Sequence, residues 1–147
     1  MELNETDKKI LENLLADARL SSRQIAKNVG VSVGTVLSRV KKMEEDGLIK
    51  GYSAILDHQK LGYELTVVTE ITVSKGKLVE MENEVAKLPG VCCVYDVTGL
   101  TDAVIIAKFK TREDLGKFTK HLLALPYVER TNTHVVLTTV KEDLRLL

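Results

Sequence analysis

Apolar residues in the first part of the chain recur with the period of an amphipathic helix. Ile10, Leu11, Leu14 and Leu15 fall on one face of residues 4–18. Polar residues that can cap a helix stand at the start of this segment. An acidic residue follows in the first turn, where its negative charge interacts favourably with the positive end of the helix dipole. The pattern predicts a helix with one buried face.

Two further helices are predicted directly after the first. Ser21 is followed three residues later by a glutamine, which is a capping-box pattern, and it opens a short helix that Gly30 ends. Ser32 stands where the next N-cap belongs, and a longer helix is predicted over residues 33–46. Two helices joined by a turn of about four residues with a glycine, the second of them longer, indicate a helix-turn-helix unit.

The third predicted helix has an apolar and a polar face. Val36, Val40 and Met43 form its apolar stripe, with Leu37 at the edge. The opposite face carries glycine, small hydroxyls and cations, at Gly34, Thr35, Ser38, Arg39 and Lys42. Residues 19–42 contain six basic and no acidic side chains. A narrow, cationic helix face is suited to a groove of double-stranded DNA.

The residue types on this surface suggest separate roles in DNA binding. We expect Arg39 to read a base or the backbone, with Thr35 and Ser38 beside it, and Lys42 to meet a phosphate. The start of the second helix is expected to contact phosphates as well. The predicted DNA-binding residues are Ser21, Ser22, Arg23, Ser32, Gly34, Thr35, Ser38, Arg39 and Lys42. One alternative is a three-helix packing module whose exposed face is merely solvated, and another is a module that binds a second protein.

The rest of the chain reads as strands and helices in alternation. Residues 48–57 alternate and predict a strand that forms a wing or an arm. The segments that follow predict strands over 65–73, 91–98, 102–109 and 128–140, with helices over 77–87 and after Thr111. This order is the ferredoxin-like βαββαβ layout. We expect both helices to cover one sheet face and a second subunit to cover the other, which should include Val68, Cys92, Val94 and Val136.

Composition limits the class of protein. The 147 residues are 44% hydrophobic and 29% charged with a net charge of zero, values of a globular chain whose two small modules favour oligomerisation. No apolar run approaches the roughly 18–20 residues of a membrane span, and no signal-peptide pattern opens the chain, so we expect a cytoplasmic protein. The adjacent Cys92 and Cys93 and the three histidines lack metal-ligand spacing. Because catalytic motifs are absent too, neither an enzyme nor a cofactor is expected.

Short motifs follow one another in a fixed order through the first 62 residues. They are Asp7-Lys8-Lys9-Ile10-Leu11, Asp17-Ala18-Arg19, Ile25-Ala26, Val29-Gly30-Val31-Ser32, Thr35-Val36, Arg39-Val40, Gly47-Leu48-Ile49-Lys50-Gly51-Tyr52, Ala54-Ile55-Leu56-Asp57 and Leu61-Gly62. This series resembles the Lrp/AsnC, or feast/famine, family of prokaryotic transcription regulators. The resemblance implies an α+β chain with a winged helix-turn-helix domain over 1–50, a linking strand and hinge over 51–63, and an effector-binding and oligomerisation domain over 64–147. It also implies dimers that commonly assemble to octamers, and a response to amino acids.

The resemblance further implies an effector site at subunit contacts. The family's Gly-x-x-Asp turn matches Gly99 and Asp102, but Leu100 and Thr101 replace the acidic or polar residue and the aromatic that usually lie between. The matching segment of a neighbouring subunit's last strand is Thr131, Asn132, Thr133 and His134. Backbone amides at a glycine turn can hold a carboxylate, and an aspartate can meet an α-amino group. The alternative is an ordinary hairpin turn, which would leave a DNA-binding local or architectural regulator without an effector.

Overall fold

A computed structural model describes residues 2–147, which divide into two compact units. One unit comprises the chain up to Ile55 together with Glu142–Leu147, and the other comprises Leu56–Lys141. Within the first unit, the guanidinium of Arg145 donates to the Leu15 carbonyl at 3.4 Å. The chain therefore leaves the first unit once and returns to it. The domain boundaries expected after residues 50 and 63 stay predictions.

The first unit is built on three helices, as the sequence predicted. They are α1 (Glu5–Ala16), α2 (Ser22–Val29) and α3 (Val33–Glu45). The side chains of Asn4, Ser21 and Ser32 each accept a hydrogen bond from a backbone amide in the first turn of the following helix. The apolar stripes meet in one small core, formed by Ile10, Leu11, Ile25, Ala26, Val36 and Met43.

The strand predicted over residues 48–57 is absent from the described residues 2–147. The amides of Leu48 and Ile49 both donate to the Met43 carbonyl, at 2.9 and 3.0 Å, and so continue the end of α3. The Tyr52 hydroxyl donates to Glu44 Oε1 at 2.8 Å; burial and this carboxylate raise the pKa of Tyr52 to about 12. Alternation supplies a face for a strand, but a strand also needs a partner to bond with.

The second unit has the predicted βαββαβ order. Its elements are β1 (Leu65–Val73), α4 (Leu78–Val85), β2 (Val91–Asp96), β3 (Ala103–Phe109), α5 (Arg112–Ala124) and β4 (Val128–Val135). The strands form one antiparallel sheet in the order β2-β3-β1-β4. The predicted continuation of β4 to residue 140 is wrong: the Val136 amide still bonds to Thr66 at 2.9 Å, but β1 begins at Leu65, so no paired strand lies beyond.

Both helices of this unit pack on one sheet face. Their side chains and alternate strand residues form a core that includes Val67, Ile71, Met81, Ile105 and Leu122, all without solvent exposure. The other face has no covering element from the same unit. Val68 lies on that face, opposite His134 and Ile106, as expected.

The predicted position of Val94 is wrong. Val94 pairs with Ile105 and packs against the helix-covered core, whereas Cys93 pairs with Ile106 on the other face. The register shifts between Val91 and Cys93, which is a β-bulge with one extra residue. Because side chains alternate across a strand, one extra residue reverses the face on which every later side chain lies.

A substitution at Gly90 tests the packing between the segment after α4 and the sheet. Its φ is +84°, and a Cβ there would lie 2.5 Å from the Lys108 carbonyl oxygen. We expect Gly90→Ala to lower the free energy of unfolding of the second unit by more than about 1 kcal/mol, because both backbone conformation and space exclude a side chain. Urea denaturation of the full chain, followed by circular dichroism, measures the change.

Gly116→Ala is the matched control for this prediction. A Cβ at Gly116 meets no atom within 4 Å, and the residue lies inside α5. Alanine favours a helix interior over glycine, so the control should be neutral or stabilising by up to about 1 kcal/mol. Equal destabilisation by the two substitutions would contradict the stated role of Gly90.

Candidate functional site

Helix α3 presents a narrow exposed face. Val36 and Met43 are fully buried, so the opposite side of the helix points to solvent. The exposed residues on that side are Val33, Gly34, Leu37, Ser38, Lys41 and Lys42, with Glu45 at the end of the helix. Leu37 is 55% exposed rather than at the edge of the core, and Val33 is 39% exposed, so the face carries two apolar side chains beside its hydroxyl and charged groups.

The hydroxyls of α3 are held in fixed positions. Ser32 Oγ accepts from the Thr35 amide at 3.0 Å and lies 2.8 Å from Thr35 Oγ1. Ser38 Oγ donates to the Thr35 carbonyl at 3.0 Å. A serine hydroxyl that donates its proton within the helix keeps its lone pairs as acceptors. Ser38 therefore presents an acceptor to whatever meets the exposed face.

Arg39 has an intramolecular partner that sequence analysis missed. Its Nε donates to Asp7 Oδ1 at 2.5 Å, and its Nη2 donates to Asp7 Oδ2. Asp7 has no solvent exposure, and its Oδ2 also accepts from the Asn4 amide at 3.1 Å. The guanidinium bond holds the pKa of Asp7 below its usual value despite the burial, and the same bond raises the pKa of Arg39.

The spacing of these two residues contains the signal for their pairing. Arg39 follows Val36 by three residues and precedes Met43 by four, which places it beside the buried stripe of α3. Asp7 stands in the same relation to Ile10 and Leu11 on α1. Charged residues on two facing apolar stripes, with opposite signs, indicate a buried ion pair rather than a binding surface.

At the start of α2, one of the predicted DNA-binding residues forms hydrogen bonds within the helix itself. The Ser21 hydroxyl accepts from the Gln24 amide at 3.2 Å, and Gln24 Oε1 accepts from the Ser21 amide at 2.9 Å. Ser22 is half-buried, whereas Arg23 and Lys27 are exposed. The cations of α2 are thus accessible, whereas Ser21 caps the helix.

Arg19 is paired with a neighbouring carboxylate. Its Nε and Nη2 donate to the two Asp17 oxygens at 2.9 Å each, and these bonds lower the pKa of Asp17 to about 2. Both groups are solvent-accessible. Lys41 Nζ likewise lies 3.6 Å from Glu45 Oε1. The net positive charge near the turn therefore comes mainly from Arg23, Lys27 and Lys42.

The turn predicted to hold an effector is attached to the end of β1. The Asp102 amide donates to the Ile71 carbonyl at 2.9 Å, and Asp102 Oδ2 accepts from the Val73 amide at 2.8 Å. Gly99 has a φ of +126°, and Leu100 is fully exposed. One carboxylate oxygen of Asp102 thus fixes the turn.

The four residues of the last strand divide between the two sheet faces. Thr131 and Thr133 lie on the helix-covered side, and Thr133 Oγ1 lies 3.0 Å from Thr69 Oγ1. Asn132 and His134 lie on the other side, within 3.0 and 3.1 Å of Glu70 Oε2. These bonds, His134 first, lower the pKa of Glu70.

The turn and the last strand share one end of the sheet. Thr131 pairs with Ile71, whose carbonyl bonds to Asp102, so β1 lies between Thr131 and the turn. One chain therefore brings Thr131 and Gly99–Asp102 to the same sheet end but does not gather all eight predicted residues into one site.

Two family models match the chain. The winged helix-turn-helix DNA-binding model matches residues 3–50, and the Lrp/AsnC ligand binding domain matches residues 66–146. An HTH-type transcriptional regulator of Pyrococcus furiosus is 49% identical over 146 residues, 99% of each chain. The leucine-responsive regulatory protein of Klebsiella pneumoniae is 34% identical over 154 aligned residues, covering 99% of this chain and 92% of the relative.

A solved structure has the same architecture. A transcriptional regulator from Neisseria meningitidis, crystallised in complex with L-Met, superposes with a TM-score of 0.90 at 27% identity, covering 99% of this chain and 97% of that one. The match extends over both units.

Fold and matches together define a DNA-binding transcription regulator with a winged helix-turn-helix and a ferredoxin-like ligand-binding domain. The chain belongs to the Lrp/AsnC family. Within residues 2–147, none of the helices has the length and apolar character that a bilayer crossing requires.

Proposed function

We propose that this regulator reads DNA sequence with the exposed face of α3 in the major groove. The observation that carries the proposal is the composition of that face: Leu37 and the Ser38 acceptor lie beside Gly34 and exposed lysines. Leu37 offers apolar contact to a thymine methyl, and Ser38 can accept from an adenine or cytosine amino group.

Gly34 gives a second reason for close approach. A Cβ at this position would meet only Ser32 Oγ, at 3.8 Å, so internal packing does not require a glycine. Glycine weakens a helix relative to alanine. A missing side chain on the exposed face permits the backbone to come nearer to the bases.

The exposed cations supply the part of the affinity that does not depend on sequence. Arg23 and Lys27 lie on α2, and Lys41 and Lys42 lie on α3. Lysines that neutralise phosphates release counterions, which makes binding depend steeply on salt. Because its partner is chromosomal DNA, we place the protein in the prokaryotic cytoplasm, and we propose no catalytic activity.

A pair of variants separates base reading from phosphate contact. We expect Ser38→Ala to weaken binding to the selected site by about 1 kcal/mol, the loss of one hydrogen bond, and to leave random DNA unaffected. We expect Lys42→Gln to weaken binding to every duplex and to flatten the salt slope by about one. Fluorescence anisotropy on sites selected from random duplexes, at several salt concentrations, measures both.

Lys75→Gln is the control for these two variants, because Lys75 is exposed in the second unit. It should leave affinity and slope unchanged. Equal losses from Ser38→Ala on selected and random DNA would contradict sequence reading. A wild-type chain that binds duplexes without salt dependence would favour the protein-interaction alternative.

We further propose that the chain is an obligate dimer through the uncovered sheet face, with higher assembly to an octamer. This face carries Val68, Val104, Ile106 and Cys93, and their apolar surface needs cover. A symmetric dimer would place two α3 helices on one side of DNA. The half-sites should then form a pseudo-palindrome with centres about 10 bp, or a multiple, apart.

Sedimentation equilibrium tests the dimer. We expect no folded monomer at micromolar concentration, because each unit has too small a core to stand alone. Substituting Ile106 by Glu should shift the distribution toward monomer, whereas Val79→Glu, an exposed position on α4, should not. A stable folded wild-type monomer would contradict the proposal.

We propose, in addition, that an amino acid modulates DNA binding at contacts between subunits. The Neisseria meningitidis regulator binds L-Met, and the turn Gly99–Asp102 lies at the same sheet end as Thr131. Backbone amides at the glycine turn suit a carboxylate. The second Asp102 oxygen would meet the ammonium group, and Asn132, Thr133 and His134 of a neighbouring copy would complete the set. Binding would favour one assembly and its spacing of DNA-binding units.

Isothermal titration calorimetry with each of the twenty amino acids tests this effector site. We expect heat from at least one amino acid, its loss in Asp102→Asn, and its retention in the control Asp96→Asn on β2. Circular dichroism must show that Asp102→Asn is folded, since this carboxylate also bonds to Val73. Flat heats for all twenty would favour the alternative of a regulator without an effector.

A further inference from the structure

We infer that Asp7 is a positioning residue that determines which groups α3 presents to DNA, because it holds Arg39 against α1. The inference rests on the DNA-binding function proposed above. Asp7 itself lies in the first turn of α1 and has no solvent exposure, so it cannot contact DNA.

The contact between the two side chains uses the whole carboxylate. Nε and Nη2 of Arg39 each donate to a different Asp7 oxygen, and the Asn4 amide donates to Oδ2 as well. The planar guanidinium fork matches a carboxylate in this two-point geometry, which is the strong form of the ion pair. The Arg39 side chain is only 27% exposed in consequence.

The atoms that bind Asp7 are the atoms that would read DNA. An arginine recognises guanine, or a phosphate, by donating two parallel N–H groups to two acceptors. Arg39 donates two such groups inward, so the same fork cannot also point into the groove. The exposed face of α3 therefore presents Leu37, Ser38 and Lys42 at its middle, without a guanidinium.

Burial makes this arrangement stable against competition from DNA. If Arg39 turned outward, Asp7 would lose both guanidinium bonds and keep only the Asn4 amide bond in a largely buried position, which is costly for an ionised carboxylate. DNA would have to supply more than an equivalent pair of bonds to draw Arg39 away. Asp7 thus keeps the Arg39 guanidinium away from the DNA-binding face, where it could neutralise a phosphate or recognise guanine.

Neutralising Asp7 should release that cation. The full-length chain carrying Asp7→Asn keeps an oxygen for the Asn4 or Arg39 N–H groups but loses the charge that holds the guanidinium. We expect its binding to random duplex DNA to show a salt slope steeper by about one than that of the wild type. In selection from random duplexes, Asp7→Asn should gain a preference for guanine that the wild type lacks.

Three companion variants complete the design. Arg39→Gln should leave the wild-type salt slope unchanged, because Arg39 does not meet phosphates, whereas Lys42→Gln should flatten the slope by about one. The double variant Asp7→Asn/Arg39→Gln should return the slope of Asp7→Asn to the wild-type value. A purely structural role for Asp7 would lower affinity but could not steepen the slope.

A measurement on the wild type guards against variants that fail to fold. The Arg39 Nε–H resonance should keep its chemical shift when saturating DNA is added, because the Asp7 bond persists. A large shift of that resonance overturns the inference, as does a flatter slope in Arg39→Gln or an unchanged slope and site preference in folded Asp7→Asn. If the wild type shows no affinity for duplex DNA, the proposed function fails first and this inference falls with it.

Discussion

A carboxylate that is closed off from water must be given a cation, and this requirement organises the DNA-binding unit. Asp7 caps the start of α1 and pairs with Arg39 in the middle of α3. The three helices share a core of only a few apolar side chains, so relative helix position depends on each specific contact. The pair also settles which side of α3 is interior, and hence which side is available to DNA.

Local signals in the sequence were sufficient to predict the helices. A cap and an apolar stripe act within a few residues, and the structure contains the caps at Ser21 and Ser32 where they were predicted. The pairing of Arg39 with Asp7 was missed because the charge of Arg39 was weighed above its place beside Val36 and Met43. Its partner, Asp7, is thirty-two positions away, so the helical pattern shows that each residue lies beside an apolar stripe but has to be compared between two helices to indicate the pair.

Strands were less predictable because their identity depends on distant partners. Residues 48–57 have the alternation of a strand but no partner within the described chain, and the end of β4 is set by where β1 begins. Val94 shows the same limit at the level of one side chain, since the bulge before it reversed its face. The effector residues were drawn from two subunits by resemblance, and a single chain brings only the turn and Thr131 to a common sheet end.

The return of the chain to its first unit has a consequence for the domain boundaries. Since Glu142–Leu147 group with the three helices, the ferredoxin-like unit is connected to them by two covalent segments, one before it and one after it. Residues 142–147 consequently belong to the DNA-binding unit, although the whole ferredoxin-like unit separates them from it along the chain.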